Sequence, residues 1–430
     1  MPLTLTSEIA EHYLEIIKLL GGEWLLQGPL TSHPWFRLSA TSYYLFFPIF
    51  ALFRFHPLTL SYVWIIISIL LIPLNFFVIK KIFDDKTAWI SSILLISSPL
   101  FMNLFRLPSF FNFIIPLFYF LLLAVKSKKI WLIFLIISLM CTLHAAAFML
   151  VPLFVGLFLI IKRFNKKQSV LSIISFLIPQ IPFLLNDYYH SFTMIRNLFL
   201  WVPYKMVNFL TGKTLGLNRN IVKDETLKNI FDYLKLNFFP ENFPWLIGII
   251  VLIVIVIYFQ RKKTTFIEKI LFHWLIFGFL ILLIHKNPPL HYFVPIYFIP
   301  MILISRIISM LKNNFLIAIL FILITLNSIA IFQKSKSPSD YISYKDQEKI
   351  AKVIIKDSKG QKFQLSRQGP FDSYIGQFSQ NYEYILWWLG NRPVTNLNLK
   401  YLIIEDNNKQ NIKGKMIGRV NEVIIFLISK

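Results

Sequence analysis

From residue 60 onward the chain alternates between long uncharged apolar runs and short basic tracts. The runs lie near 60–80, 86–104, 108–125, 130–143, 145–161, 168–186, 244–260, 266–284, 291–310 and 315–332. Several are at or near the roughly 20 residues that a helix needs to cross a bilayer, and together they predict about ten transmembrane helices. Ahead of them, Ile9, Tyr13, Ile16, Ile17 and Leu20 recur three and four apart, with Glu8, Glu11 and Glu15 on other faces. That is the pattern of an amphipathic helix lying at an interface, and Gly21 and Gly22 end it. Gly28 to Trp35 reads as a loop, and Ser39 to Phe55, short and carrying Pro48, as a second interfacial or partly inserted helix. Past Lys336 the pattern turns polar. A helix near Tyr344 to Lys356 and strands near Phe363 to Ser366, Tyr401 to Ile404 and Glu422 to Ile428 predict a small α/β domain there, one that packs on the membrane part.

The basic tracts orient these spans. Lys80, Lys81 and Lys86, then Lys126, Lys128 and Lys129, then Lys162, Arg163, Lys166 and Lys167, then Arg261, Lys262 and Lys263, then Lys312 fall in alternate linkers. Basic residues in short loops stay inside. Both ends of the chain, the loops at 1–57 and 188–243 and the C-terminal domain then lie outside a plasma or inner membrane. The expected organisation is an all-α polytopic membrane domain over 1–333 followed by an external α/β domain over 334–430.

Composition removes competing classes. With 56% hydrophobic residues and a mean hydropathy of +0.62, the chain is too apolar for a soluble domain. Its net charge of +23 comes from the orienting tracts, which form no basic face with interleaved aromatics, so nucleic acid is excluded as a partner. Cys141 is the single cysteine and sits in an apolar run, as a small packing residue does. The acidic first twenty residues do not form a cleavable signal peptide. No Walker loop, no GxGxxG after a strand and no GxSxG elbow occurs, which leaves nucleotide-driven transport, dinucleotide binding and serine hydrolysis without support.

Candidate chemistry gathers in Ser7 to Tyr44, where Glu8, Glu11, His12, Glu15, Glu23, His33 and Arg37 mix with Trp24, Trp35, Tyr43 and Tyr44, aromatics suited to a membrane boundary. A carboxylate can take the proton of an acceptor hydroxyl. Glu11, flanked by Ala10 and His12, is the first choice and Glu8 the second, while a solvated helix face explains the same carboxylates without chemistry. Arg106 and Asn112 stand at the external end of two spans, where a cation meets a lipid phosphate or simply snorkels. Arg196, Lys205, Lys213, Arg219 and Lys286 lie outside against the positive-inside tendency, and an anionic phosphate gives a reason to keep them there. His144 and His291 sit at helix ends, as hydrogen-bonded caps often do. With His12 and His33 they form a metal site only if the fold gathers them, so a divalent metal stays open.

These stretches resemble the GT-C class of membrane glycosyltransferases, in particular bacterial relatives of protein O-mannosyltransferases and aminoarabinose transferases. The resemblance runs from Ser7 to about Lys312. It is carried by SEIAEHYLEIIKLLGG with QGPLTSHPW, by TSYYLFFPIF, by SSPLFMNLFRLPSFFNFIIP and by PPLHYFVPIYFIP. It implies an external first loop of two membrane-lying helices whose acidic residue acts on an acceptor. It also implies inverting transfer from a polyprenyl-phosphate sugar to a cell-envelope lipid, glycan or protein. Glu11 and Glu8 would be the catalytic carboxylates. His12, His33, Arg106, Asn112, Arg196, Lys205, His291 and Tyr292 would bind substrate. In the family a first span ending at an Asp leads into this loop. Here the chain begins at the loop, with Ser7 or Glu8 at the Asp position, and Asn112 stands where some members carry a second Asp. A lipid-linked sugar flippase and a non-catalytic polyprenyl-phosphate-binding relative are the alternatives. The flippase predicts charged or broken segments at mid-bilayer, and the runs show few acidic residues.

Overall fold

The computed structural model describes residues 3–31, 35–106, 108–160, 166–211, 225–261, 264–285, 287–336, 342–369, 378–405 and 414–428. His33, Lys213, Arg219 and Lys286 lie outside the described residues, as does the side chain of Lys205. The chain divides into two compact units. One comprises Leu26–Ser42 and Trp64–Lys336, and the other Met1–Leu25, Tyr43–Val63 and Ser337–Lys430. One joint falls close to the expected boundary at 333/334, and the two N-terminal stretches group with the C-terminal residues.

Each apolar run of the sequence is helical. Thr59–Ile82, Lys166–Tyr189, Phe266–His285 and Asn313–Gln333 are long and apolar enough to cross a membrane. Asp85–Ser97 with Pro99–Arg106, and Leu290–Ile296 with Ile299–Ile308, are two further pairs, each bent by 55°. The first bend has a local cause: Ser98 precedes a proline, which disfavours helical backbone, and Ser98 is extended at φ −67° and ψ 123°. Phe110–Lys126, Ile130–Leu143, Ala145–Leu159 and Leu246–Gln260 are shorter apolar helices. His144, extended at φ −158° and ψ 136°, separates the middle two.

Within the larger unit, a few polar side chains fix apolar helices whose surfaces alone would let them slide. The Trp64 indole N–H donates to the Leu104 carbonyl at 2.8 Å, which also receives the amide of fully buried Asn112 at 3.4 Å. Asn327 donates to the Phe238 carbonyl at 2.8 Å. Arg306 reaches Asp84 at 2.6 Å and Glu268 at 3.0 Å, and Tyr258 donates to the same Glu268 carboxylate at 3.0 Å. Three regions distant in sequence meet there, around Asp84, around Tyr258 and Glu268, and at Arg306. The helices Thr226–Leu236 and Leu246–Arg261 approach so closely that a Cβ on Gly248 would lie 2.1 Å from the Phe231 carbonyl oxygen.

The segment expected as a loop at Gly28 to Trp35 instead opens with a strand. Strands β1 (Gln27–Leu30) and β2 (Arg37–Ser39) pair antiparallel. The close pairing demands glycine at 28, since a Cβ there would meet the Ser39 carbonyl oxygen at 2.2 Å. Phe36 and Leu38 bury against Phe183 and Met194, and Ser39 and Thr41 both donate to the Pro179 carbonyl, at 2.8 and 2.6 Å.

In the smaller unit a four-stranded sheet has the order β3 (Gln364–Gln368), β4 (Lys400–Ile404), β6 (Val423–Ile428), β5 (Lys415–Val420). β3 and β4 run parallel and the other pairs antiparallel. The helix Tyr344–Ser358 and three of these strands match the sequence pattern. The strand β5 and the helix Gln380–Trp388 are additions to it. Buried Arg367 and Glu405 pair side by side, and Tyr382 donates to Glu405 at 2.7 Å. The N-terminal helix Ser7–Ile16 packs on Gln380–Trp388. Tyr13 is the pivot of that packing. Its hydroxyl accepts from the Leu60 N–H at 2.9 Å and its ring lies 4.5 Å from Phe50 and 4.9 Å from Tyr384. Burying such a ring stabilises by roughly 1.5–3 kcal/mol.

Candidate active site

In the smaller unit the candidate chemistry is arranged by one helix. Thr6 caps Ser7–Ile16 by accepting from the Ile9 N–H at 3.4 Å. Ile9, Ala10, Tyr13, Leu14 and Ile16 turn inward, so the steps of three and four leave Glu8, Glu11, Glu15 and Lys18 as one polar stripe. Glu15 pairs with Lys18 at 2.7 Å. Glu11 is half-buried in the middle of the stripe. Glu8 is exposed, yet neighbouring protein displaces part of the water around its carboxyl and, with the Glu11 carboxylate adding to the effect, raises its pKa above the ordinary 4.5. His12, one residue beyond Glu11, shares a hydrogen bond with the Tyr43 hydroxyl at 3.1 Å. The stripe thus offers a carboxylate whose pKa is shifted toward neutrality, which is the direction a general base requires.

In the larger unit a second constellation forms from residues far apart in sequence. His144 follows the Ile130–Leu143 helix, His285 ends Phe266–His285, and His291 and Tyr292 belong to the tight turn of helix Leu290–Ile296. The His144 ring centroid is 5.4 Å from that of His291 and 5.3 Å from that of Tyr292. His285 lies 4.5 Å from Tyr292, and Phe111 faces both His144 and His291 at 5.7 and 5.6 Å. His144 Nδ1 accepts the Ala146 N–H at 3.2 Å, capping the turn Ala145–Met149. In the neutral ring the proton therefore sits on Nε2, which is a donor. Among the described residues, no group of three His, Cys, Asp or Glu is arranged to hold a metal ion.

The remaining sequence candidates have separate places. Asn112 is fully buried beside Phe111, with its amide on Leu104. Arg106 is half-buried and donates to the Ile331 carbonyl at 3.5 Å. Arg196 is exposed on the helix Thr193–Thr211, which also carries Lys205. That helix is capped by Asp187, whose carboxylate accepts from the N–H groups of Met194 and Ile195 at 2.7 and 3.0 Å. The fold brings His291 and Tyr292 to His144, which read as a cap, and to His285, which the sequence marks only as a basic residue closing a helix.

Compared with solved structures, the chain matches ArnT from Cupriavidus metallidurans bound to undecaprenyl phosphate with a TM-score of 0.59 at 9% identity, covering 99% of this chain and 94% of that one. The apo state of the same protein gives a TM-score of 0.61 over the same shares, also at 9% identity. The fold is that of the GT-C class. The apo oligosaccharyltransferase of Archaeoglobus fulgidus matches at a TM-score of 0.53 and 12% identity, covering 90% of this chain and 60% of that one. At these identities the likeness is one of fold. No protein-family model matches the sequence, and no curated protein matches it. The long apolar helices on this fold make the chain an integral membrane protein.

Proposed function

We propose that the chain is a membrane glycosyltransferase that moves a sugar from a polyprenyl-phosphate-linked donor to a lipid, glycan or protein of the cell envelope. The observation that carries this reading is the match over nearly the whole chain to ArnT, whose crystal structure holds undecaprenyl phosphate. In the reaction the acceptor oxygen bonds to the anomeric carbon as the bond from that carbon to the phosphate oxygen breaks. The acceptor proton passes to a carboxylate, and the electron pair leaves with the polyprenyl phosphate. Glu11, or Glu8 beside it, is the base in this scheme, supported by their shared helix face and the raised pKa of Glu8. His12, on the same helix, orients the acceptor.

Charge growing on the departing phosphate needs donors held ready for it. His291 and Tyr292, in the ring cluster with His144, are the candidates in the larger unit. Arg106 and Asn112, with Arg196, Lys205 and His33, complete the substrate-binding set in this scheme. The basic linkers support an active side and a C-terminal domain facing outward, with 1–333 as the membrane domain and 334–430 as the external one. The transferred group is a hexose or a pentose.

Binding of the carrier is the first test. Purified protein in lipid nanodiscs, titrated with undecaprenyl phosphate and followed by its ³¹P resonance, should bind it saturably, and equal concentrations of undecaprenol should not displace it. Absence of saturable binding would remove the reading.

A further inference from the structure

The segment that carries His291 and Tyr292 ends at a break with a chemical cause. Leu290–Ile296 and Ile299–Ile308 meet at 55°, and Pro300 is the second residue of the latter. A helix running straight on would pair the Ile296 carbonyl with the N–H of residue 300, and proline has none. The missing donor comes from elsewhere in the chain. The hydroxyl of fully buried Tyr233 donates to the Ile296 carbonyl at 2.5 Å, with the Tyr297 carbonyl 3.2 Å away.

Tyr233 is one of a row. The helix Thr226–Leu236 meets the same segment at Thr226, Asn229 and Tyr233, positions three and four apart that share one face. The Thr226 hydroxyl accepts the Asn287 N–H at 2.6 Å, the Asn287 side chain accepts the Glu225 N–H at 2.5 Å, and the Asn229 amide donates to the Pro288 carbonyl at 3.4 Å. The Tyr233 ring then stacks on Phe293, with centroids 4.6 Å apart at an interplanar angle of 24°. Residues 287–297 are thus held at their start, middle and end by one helix. Phe293 turns toward that helix, and the two residues before it, His291 and Tyr292, turn toward His144.

We infer that Thr226–Leu236 is the splint that sets His291 and Tyr292, and that Tyr233 is a positioning residue whose hydroxyl fixes the end of the turn on which both donors sit. That these donors meet a phosphate rests on the transferase reading. A shift of about 1 Å in a group aimed at substrate costs up to about 10²-fold in rate, so a hydrogen bond made behind the donors bears on the substrate without touching it.

The test uses Tyr233→Phe, which deletes the hydroxyl and keeps the ring on Phe293. The full chain, labelled with ¹⁵N-histidine and held in lipid nanodiscs, gives side-chain resonances for His144 and His291, assigned with His144→Gln and His291→Gln. Tyr233→Phe should shift both and leave those of His12 and His56, in the smaller unit, in place. Undecaprenyl phosphate should bind about tenfold more weakly, the loss of one hydrogen bond to a charged group. Tyr258→Phe, which removes a comparable hydroxyl from Glu268, should change neither. Asn229→Ala releases the other end of the segment and carries the test if Tyr233→Phe unfolds, with the same two changes expected. Unmoved His144 and His291 resonances, or carrier binding as tight as in a wild type that binds it, would overturn the inference and leave the transferase reading standing. Shifted resonances in a protein whose wild type ignores undecaprenyl phosphate would keep the splint and remove that reading.

Discussion

His144 and His291 meet edge to face, their rings 5.4 Å apart at an interplanar angle of 81°, although they belong to different helices far apart in the sequence. His144 also caps the turn that follows it. The two roles can be separated. Asparagine is a good capping residue and alanine is not, so His144→Ala should lose about 1 kcal/mol of stability and His144→Asn much less. Both should reduce sugar transfer if the ring holds substrate. Thermal unfolding alongside turnover distinguishes the roles, and full turnover in both variants would make the cluster purely structural.

Glu8 ties stability to pH. Its raised pKa means that the folded chain holds the proton more tightly than the unfolded chain, so its contribution to stability is full below about 4.5 and is lost as pH rises through the folded value. Glu8→Gln should therefore unfold at a higher temperature than wild type near neutral pH, with the gap closing below that value. A gap independent of pH would contradict the assignment.

Arg306 holds Glu268, a carboxylate only 1% exposed, together with Asp84. Removing the cation strands a buried charge. Arg306→Ala should cost about 3–5 kcal/mol, and the double variant Arg306→Met with Glu268→Leu should recover most of it. Chemical unfolding of the three proteins in detergent measures the difference.

Gly248 lies against the backbone of Phe231 with no room for a methyl group. Gly248→Ala should force the two helices apart at a cost of about 1–3 kcal/mol. Gly156→Ala, where a Cβ meets nothing within 4 Å, should leave stability unchanged, and chemical unfolding of the two variants in detergent measures the difference.

The apolar runs were legible because a membrane helix writes its length directly into the sequence, and the extended His144 kept two short runs apart as its position implied. The stripe of Glu8, Glu11 and Glu15 was equally readable, since spacing alone sets it. Strand β1 was not, because Gly28 and Pro29 in a four-residue strand carry turn signals, and only the approach of Ser39 explains the glycine. Strand β5, KMIGRV, lacks the alternation that identified its partner β6. The meeting of His144, His285, His291 and Tyr292 has no local signature, because three separate helix ends create it. The engagement of Lys235 is hidden for a similar reason, since it looks like a free cation until its three partners are known.

The most direct measurement is sugar transfer from a radiolabelled polyprenyl-phosphate sugar by the purified protein, comparing wild type with Glu8→Gln and Glu11→Gln. Turnover should fall by about 10²–10⁴ in the variant that lacks the base, with carrier binding unchanged. Equal turnover in all three proteins would contradict the assignment of the base, and no turnover with any donor, despite tight carrier binding, would contradict the transferase itself.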